Sequence, residues 1–302
     1  VPTLAGLPEE FKKRVTVLFK TEFSTKMEEA FKRLGFANVR LLPHRKHLRL
    51  NDRVSVYCYH SGLADSLLAV ISHEGIVINS NDVALTRRDC KIIRREVGQA
   101  DVVLAQFGIA GSTGQPDHAA VLSRLAKSQM QSTLNFHQQL GADSFIPFAS
   151  YVYFSTSDNR FINGFQVTAR EIHGKFKSAS ERCDVLYPGD TWTLGGPHNS
   201  EAALRRFDEI YAGLESLPYD DSPRVEMDEL ESAHAGMVET LQEFYPDWLL
   251  RRMPAIQALL SDLGQAVEFS LRRGSFRRLE YADSPTLILN SQPLHFAFKN
   301  PY

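Results

Sequence analysis

The chain has 302 residues, 43% of them hydrophobic and 23% charged, enough apolar material for one large domain or for one domain plus an appendage. Its 34 basic and 36 acidic residues leave a formal charge of -2 without a long run of one sign, a balance that sets aside a nucleic-acid footprint or a polybasic membrane patch and points to small-molecule or protein partners. Cys58, Cys90 and Cys183 are widely spaced and odd in number, which fits neither a disulfide framework nor a thiolate zinc site; with no membrane span and no signal segment, the expected location is the reducing cytoplasm.

Along the chain, strand and helix signals alternate. "RVTVLFK" predicts a buried strand, and "STKMEEAFKRLGF" a helix, with a capping box from Thr25 to Glu28, an apolar stripe of Met27, Ala30, Phe31 and Leu34, and Gly35 as its stop. "VSVYCYH" alternates with period two, while "SLLAVIS", "GIVINS" and "DVVLAQFG" are continuous apolar runs, so all four are expected as neighbours in one sheet. A long helix is predicted from Asp117 to Leu140, a strand over "FIPFASYVYFS", and a further helix from Glu201 to Leu217 before Pro218. The polar, proline-bearing stretch 218–229 is the best linker candidate. It separates a main domain, 1–217, from an accessory subdomain, 230–302, expected as amphipathic helices and a short β-like tail. The chain opens on Val1 and stops at "HFAFKNPY" without cap signals, so natural sequence is expected to be missing at one or both ends.

Alternation of this kind places chemistry in loops just past strand ends. The candidates there are His60 and Asp65, Asp82, the stretch 106–116, the stretch 155–158 and Asp190. Asp82, with Asn79 and Asn81, fits a simple turn whose side chains bond their own backbone. His60, beside a glycine turn, fits a satisfied rim residue. Asp190 and His198 are candidates for substrate contact, against capping of the next helix by Asn199 or Ser200. The glycines of "GIAGSTG" fit an anion cradle or a plain loop. Of the aromatic residues Phe148, Tyr151, Tyr153 and Phe154, most are expected in the core, with Tyr151 or Tyr153 offering a hydroxyl to the site.

Four segments in order, "VINSND", "VVLAQFGIAGSTGQP", "FIPFASYVYFSTSDNRFING" and "YPGDTWTLGGPHNSEAALRRFD", resemble the second half of metallo-β-lactamase-fold proteins, and most nearly the group containing the CMP-N-acetylneuraminate hydroxylase metal domain. The resemblance spans roughly positions 1 to 215. It implies an α/β fold, an αββα sandwich incomplete at the N-terminus, with a C-terminal α+β appendage. It also implies a site for one or two divalent metal ions, zinc or iron, in which Asp82 matches the bridging carboxylate, also counted as catalytic, and His60 the later histidine. The chain departs from the pattern in two places. No HxHxDH loop occurs, and Thr156 stands where relatives carry the last histidine, a poor ligand for a transition metal. Two functional classes follow. Asp82 and His60 favour a metal-dependent hydrolase or di-iron oxygenase acting on a small molecule; Thr156 favours a degenerate, non-catalytic member that binds or assembles with a partner chain or oligomer completing the fold.

Overall fold

A computed structural model describes residues 2–20, 26–61, 65–109, 119–157, 159–218, 220, 224–250, 252–271, 274–282 and 284–300. The chain divides into two compact units, one built from 1–111, 120–152 and 166–215, the other from 112–119, 153–165 and 216–302.

The first unit begins with short helices α1 (Pro2–Ala5) and α2 (Glu9–Arg14), then strand β1 (Thr16–Lys20), helix α3 (Lys26–Arg33) and strand β2 (Asn38–Leu42). β1 and β2 pair in parallel, as a βα unit requires, and Gly35 turns the chain after α3 at φ +94. The expected capping residue Thr25 lies outside the described residues. There follow β3 (Lys46–Arg49), β4 (Val54–Ser61), β5 (Asp65–Ser72), β6 (Ile76–Asn81), α4 (Arg87–Val97), β7 (Val102–Ala105), α5 (Ala119–Leu140), β8 (Ser144–Pro147), α6 (Ala169–Ser178) and α7 (Glu201–Leu214). These strands form one six-stranded sheet in sequence order, antiparallel from β3 to β6 and parallel from β6 to β8. The four runs expected as neighbours are neighbours.

Period-two alternation sorts the sheet's side chains onto two faces. Tyr57, Tyr59, Leu67, Ala69, Ile78, Val103 and Phe145 point to one side and join a core with Ile93, Leu134, Ile172 and Leu204 of the four long helices. Phe145 is fully buried, which contributes about 1.5–3 kcal/mol, and stacks on Phe176 at 4.4 Å. On the other side Val56, Cys58, Leu68 and Val70 meet Leu18 and Leu42 from β1 and β2. Phe19, one residue along and so on the opposite face of β1, packs edge-on against Phe31 of α3 at 5.7 Å. The layer order is therefore helix, sheet, sheet, helix, with the second sheet reduced among the described residues to two strands.

Two expectations need correcting. The strand over "FIPFASYVYFS" stops at Pro147, because Ala149 adopts φ +57 and the chain leaves the sheet. Ser150 Oγ then accepts the amides of Phe107 and Gly108 at 2.9 and 3.0 Å, tying the departing segment to the end of β7. The C-terminal tail is also not wholly β-like. In the second unit, a 3-10 turn (Arg160–Phe165) is followed by α8 (Met227–Phe244), α9 (Asp247–Leu250), the strands β9 (Ile256–Leu260), β10 (Gln265–Phe269), β11 (Phe276–Leu279) and β12 (Leu287–Leu289), and a final helix α10 (Ser291–Lys299). The sheet order is β11-β10-β9-β12. α10 forms because Leu294 and Phe298, one turn apart, bury on the same core as Leu230 and Met237 of α8, while Ser291 is held by Asp262 at 2.5 Å. Val225 and Met227, from the stretch marked as linker, belong to that core as well. Among the described residues no helix is long and apolar enough to cross a membrane.

Candidate functional site

β6 is a buried strand that ends in a polar turn. Ser80 is buried and donates to the Leu104 carbonyl at 3.2 Å, and the ladder to β7 shifts by one residue where Asn81 takes φ +50. Asn81 N–H donates to Asn79 Oδ1 at 2.9 Å, and Asn81 Nδ2 to Asp82 Oδ1 at 2.7 Å. Asp82 therefore follows the C-terminal end of β6, exposed, on a turn built by the two asparagines.

Two concavities meet at this turn. One, of about 170 Å³, is lined from the strand ends by Ser80, Asn81, Asp82 and Gln106 and from α5 by Gln129, Ser132 and Thr133, with Phe136 and Leu85 as apolar wall. Gln106 closes its rim, its amide bonding the Asn81 carbonyl and its side chain the Gly108 carbonyl, both at 2.7 Å. Thr133 donates to the Gln106 or Gln129 carbonyl, at 2.7 and 2.9 Å, and so fixes α5 against the end of β7. The second concavity, of about 350 Å³, places Asp82 and Asn81 beside Lys20, Cys58, Asp65 and Ser66. The α5 residues were not among the sequence candidates. Their signal was the spacing Gln129, Ser132, Thr133, a polar stripe at i, i+3 and i+4 on a helix that follows a buried strand.

The other candidates are placed elsewhere. His60 lies on β4 opposite Ser66, and β5 separates it from β6, two interstrand steps of about 4.8 Å each. Its Nε2 sits 3.3 Å from the Leu42 carbonyl, its amide donates to His44 Nδ1 at 2.9 Å, and burial lowers its pKa, opposed by the Leu42 hydrogen bond. Against the expectation that most of these aromatics lie in the core, Phe148 and Tyr151 are exposed and Tyr153 and Phe154 half-buried; Tyr151 stacks on Phe207 at 4.4 Å and meets the Phe107 ring, and desolvation of its hydroxyl raises its pKa above the usual phenol range, so it stays protonated. Asp190 accepts the Tyr187 amide at 2.9 Å and pairs with Arg206 at 3.4 Å. His198 Nε2 is bound to the Val185 carbonyl at 2.8 Å. Asn199 Oδ1 caps the Glu201 amide, while Ser200 Oγ instead accepts the Val185 amide. The four of these contacts within 185–201 build that loop, and the Arg206 pair ties it to α7. Thr156 belongs to the second unit, and Asp158 and residues 110–118 lie outside the described residues.

Zinc and iron sites need three or four donors converging at 2.0–2.3 Å. Among the described residues no group of three or more His, Cys, Asp or Glu side chains is arranged to hold a metal ion. His60 offers a ring nitrogen already engaged by a carbonyl, two strands away from Asp82. The donor set among the described residues does not fit a transition-metal centre.

No protein-family model matches the chain, and no curated protein does. Among solved structures it is similar to the metallo-β-lactamase fold protein YhfI from Bacillus subtilis, at 9% identity and a TM-score of 0.40 over 61% of this chain and 68% of that one. It is also similar to Tm1679, described as a metal-dependent hydrolase of the β-lactamase superfamily, at 11% identity and a TM-score of 0.32 over 54% of this chain and 62% of that one.

Proposed function

We propose that this chain is a ligand-binding, non-catalytic protein whose pocket at the C-terminal ends of β6 and β7 takes a small polar molecule. The observation that carries this reading is the lining of the 170 Å³ pocket: six neutral hydrogen-bonding side chains and one carboxylate, Asp82, with no cation among them. A donor-rich guest suits that set, such as a polyol or a primary amine, because each hydroxyl or ammonium proton finds an oxygen acceptor, while an anion is repelled by Asp82 with no cation in the lining to offset it. Thr133 and Ser80 are buried and hydrogen-bonded, so the floor is preorganised.

Thermal-shift and calorimetric titration with small polyols and primary amines tests this directly. Members of these classes are expected to stabilise the protein, and Ser132→Phe, which fills the mouth from an exposed position, is expected to abolish the effect with folding intact. Stabilisation by small carboxylates instead, undiminished in Ser132→Phe, would defeat the proposal.

A second reading, a metal-dependent hydrolase or oxygenase acting on a small molecule, is favoured by one observation. Asp65 and Asp82 share the 350 Å³ concavity, and two carboxylates at strand ends are a start on a cation site. Such a pair suits a weakly held hard cation better than zinc or iron.

A further inference from the structure

The formal charge of -2 conceals a strong segregation. Residues 45–53 and 87–97 hold nine Lys/Arg side chains and only three carboxylates, a net +6, and all nine cations are exposed. The two segments are neighbours in space. Among the described residues β3 is an edge strand paired only with β4. α4 is fastened over β4 by Tyr57 bonding Glu96 at 2.7 Å and Tyr59 bonding Asp89 at 2.5 Å. Arg45 pairs with Glu96, and His47 Nε2 lies 3.0 Å from the Glu96 carbonyl, so the start of β3 abuts the end of α4. Arg49, two residues after His47, faces the same way. There the surface opens into a broad depression of about 680 Å³ whose lining includes His47, Arg49, Arg53 and His73 and one carboxylate, Asp52.

From this juxtaposition we infer that the α4–β3 surface binds the phosphodiester backbone of a nucleic acid. Seven of the nine cations are arginine, whose planar fork engages a phosphate through two hydrogen bonds, where lysine acts as a point charge. On α4, Arg87, Lys91 and Arg94 or Arg95 recur about one turn apart and present a row of donors along about 12 Å. The carboxylates in the two segments are already committed. Glu96 is held by Arg45 and Tyr57, Asp89 by Thr86 and Tyr59, and Asp52 by Arg49 at 2.7 Å, which leaves Arg53, Arg87 and Lys91 to outside anions. A lipid surface is the poorer match. A helix lying on a membrane inserts its apolar face, and that of α4, Cys90, Ile93 and Val97, is buried in the core of its own unit. Contacts of this type fix position on the backbone and carry no sequence preference.

Fluorescence anisotropy of the full chain with a labelled DNA duplex of about 20 base pairs and a labelled RNA strand of about 20 nucleotides tests the inference, at about 50 and 200 mM salt. At least one of the two is expected to bind, and to lose tenfold or more in affinity over that salt range, since several counterions are released. The double variant Arg53→Glu, Lys91→Glu is expected to weaken binding tenfold or more with an unchanged circular-dichroism melt. Absence of binding to either nucleic acid at the lower salt, or a double variant that binds as well as the parent, overturns it. So does equal affinity for polyglutamate or for phosphatidylserine vesicles, and a salt-independent affinity of the parent chain counts against it even if the variant misfolds.

Discussion

At the scale of the residue, His234 is the most exposed to a simple test. It is fully buried on α8, with the rings of Phe269, Phe276 and Phe298 within 5.7 Å and no hydrogen-bond partner for either ring nitrogen. Burial alone lowers its pKa, and no charged group contributes. The unfolded chain then binds the proton more readily than the folded one. Stability is therefore complete above about pH 6.5 and is lost as pH falls below that value. His234→Leu removes two desolvated nitrogens and is expected to stabilise the second unit by about 1–3 kcal/mol at pH 7, and by more at pH 5; calorimetric melting at the two pH values checks it. A variant as acid-sensitive as the parent would exclude His234 as the cause. Asp184 is the opposite case, a buried carboxylate with three donors. Burial raises its pKa, but Arg182, Trp192 and Ser144, at 2.8 to 2.9 Å, outweigh it and hold it below the usual range. Its contribution is present above about pH 4 and lost on acidification, and Asp184→Asn is expected to cost about 2–3 kcal/mol in urea unfolding near neutrality. A cost under half of that would show the network to be slack. Asp82 was legible in the sequence as a residue after a buried strand, and the turn made by Asn79 and Asn81 could be read there too. Its distance from His60 could not, because strand register decides it, and register depends on partners far away in sequence.

At the scale of the element, the strands were legible because β4 alternates and β5, β6 and β7 are continuous apolar runs, patterns that burial on one or both faces enforces. α4 and α6 were not anticipated, although each carries a reciprocal capping box, Thr86 with Asp89 and Thr168 with Glu171. Charged residues crowd the exposed face of α4 and mask its three-residue apolar stripe, so the cap was the better signal. Thr168→Ala should destabilise the first unit by about 1 kcal/mol, measured by urea unfolding; no change would mean that packing of Ile172 and Phe176 alone fixes the helix start. The strand expected beyond Pro147 failed for a different reason. Tyr151 and its neighbours alternate as a strand would, but Ala149 in the left-handed region and the Ser150 hydroxyl bonding two amides bend the chain out of the sheet. Neither is visible in a hydrophobic pattern.

At the scale of the whole molecule, net charge hides a local segregation. A balance of -2 argues for neutrality only if the signs are mixed, and here +6 collects on two adjacent segments. The separate cores, one around Phe145 and Ile172 and one around Leu230 and Phe269, are the basis for treating the chain as two folding units. We propose that limited proteolysis cuts first between Leu217 and Arg224 and leaves a C-terminal fragment that keeps a cooperative melt, because the core around Leu230 and Phe269 draws on residues from Val225 onward. First cuts confined to other segments would argue for a single unit.

The polar binding pocket proposed at Asp82, in place of a transition-metal centre, is tested by calorimetric titration of the metal-free 302-residue protein with zinc and with ferrous iron. Two donors that do not converge cannot supply the binding free energy of a complete ligand set, so both metals are expected to bind no tighter than micromolar, with the little binding of either reduced in Asp82→Asn. Sub-micromolar binding of either ion at one site per chain would contradict the account.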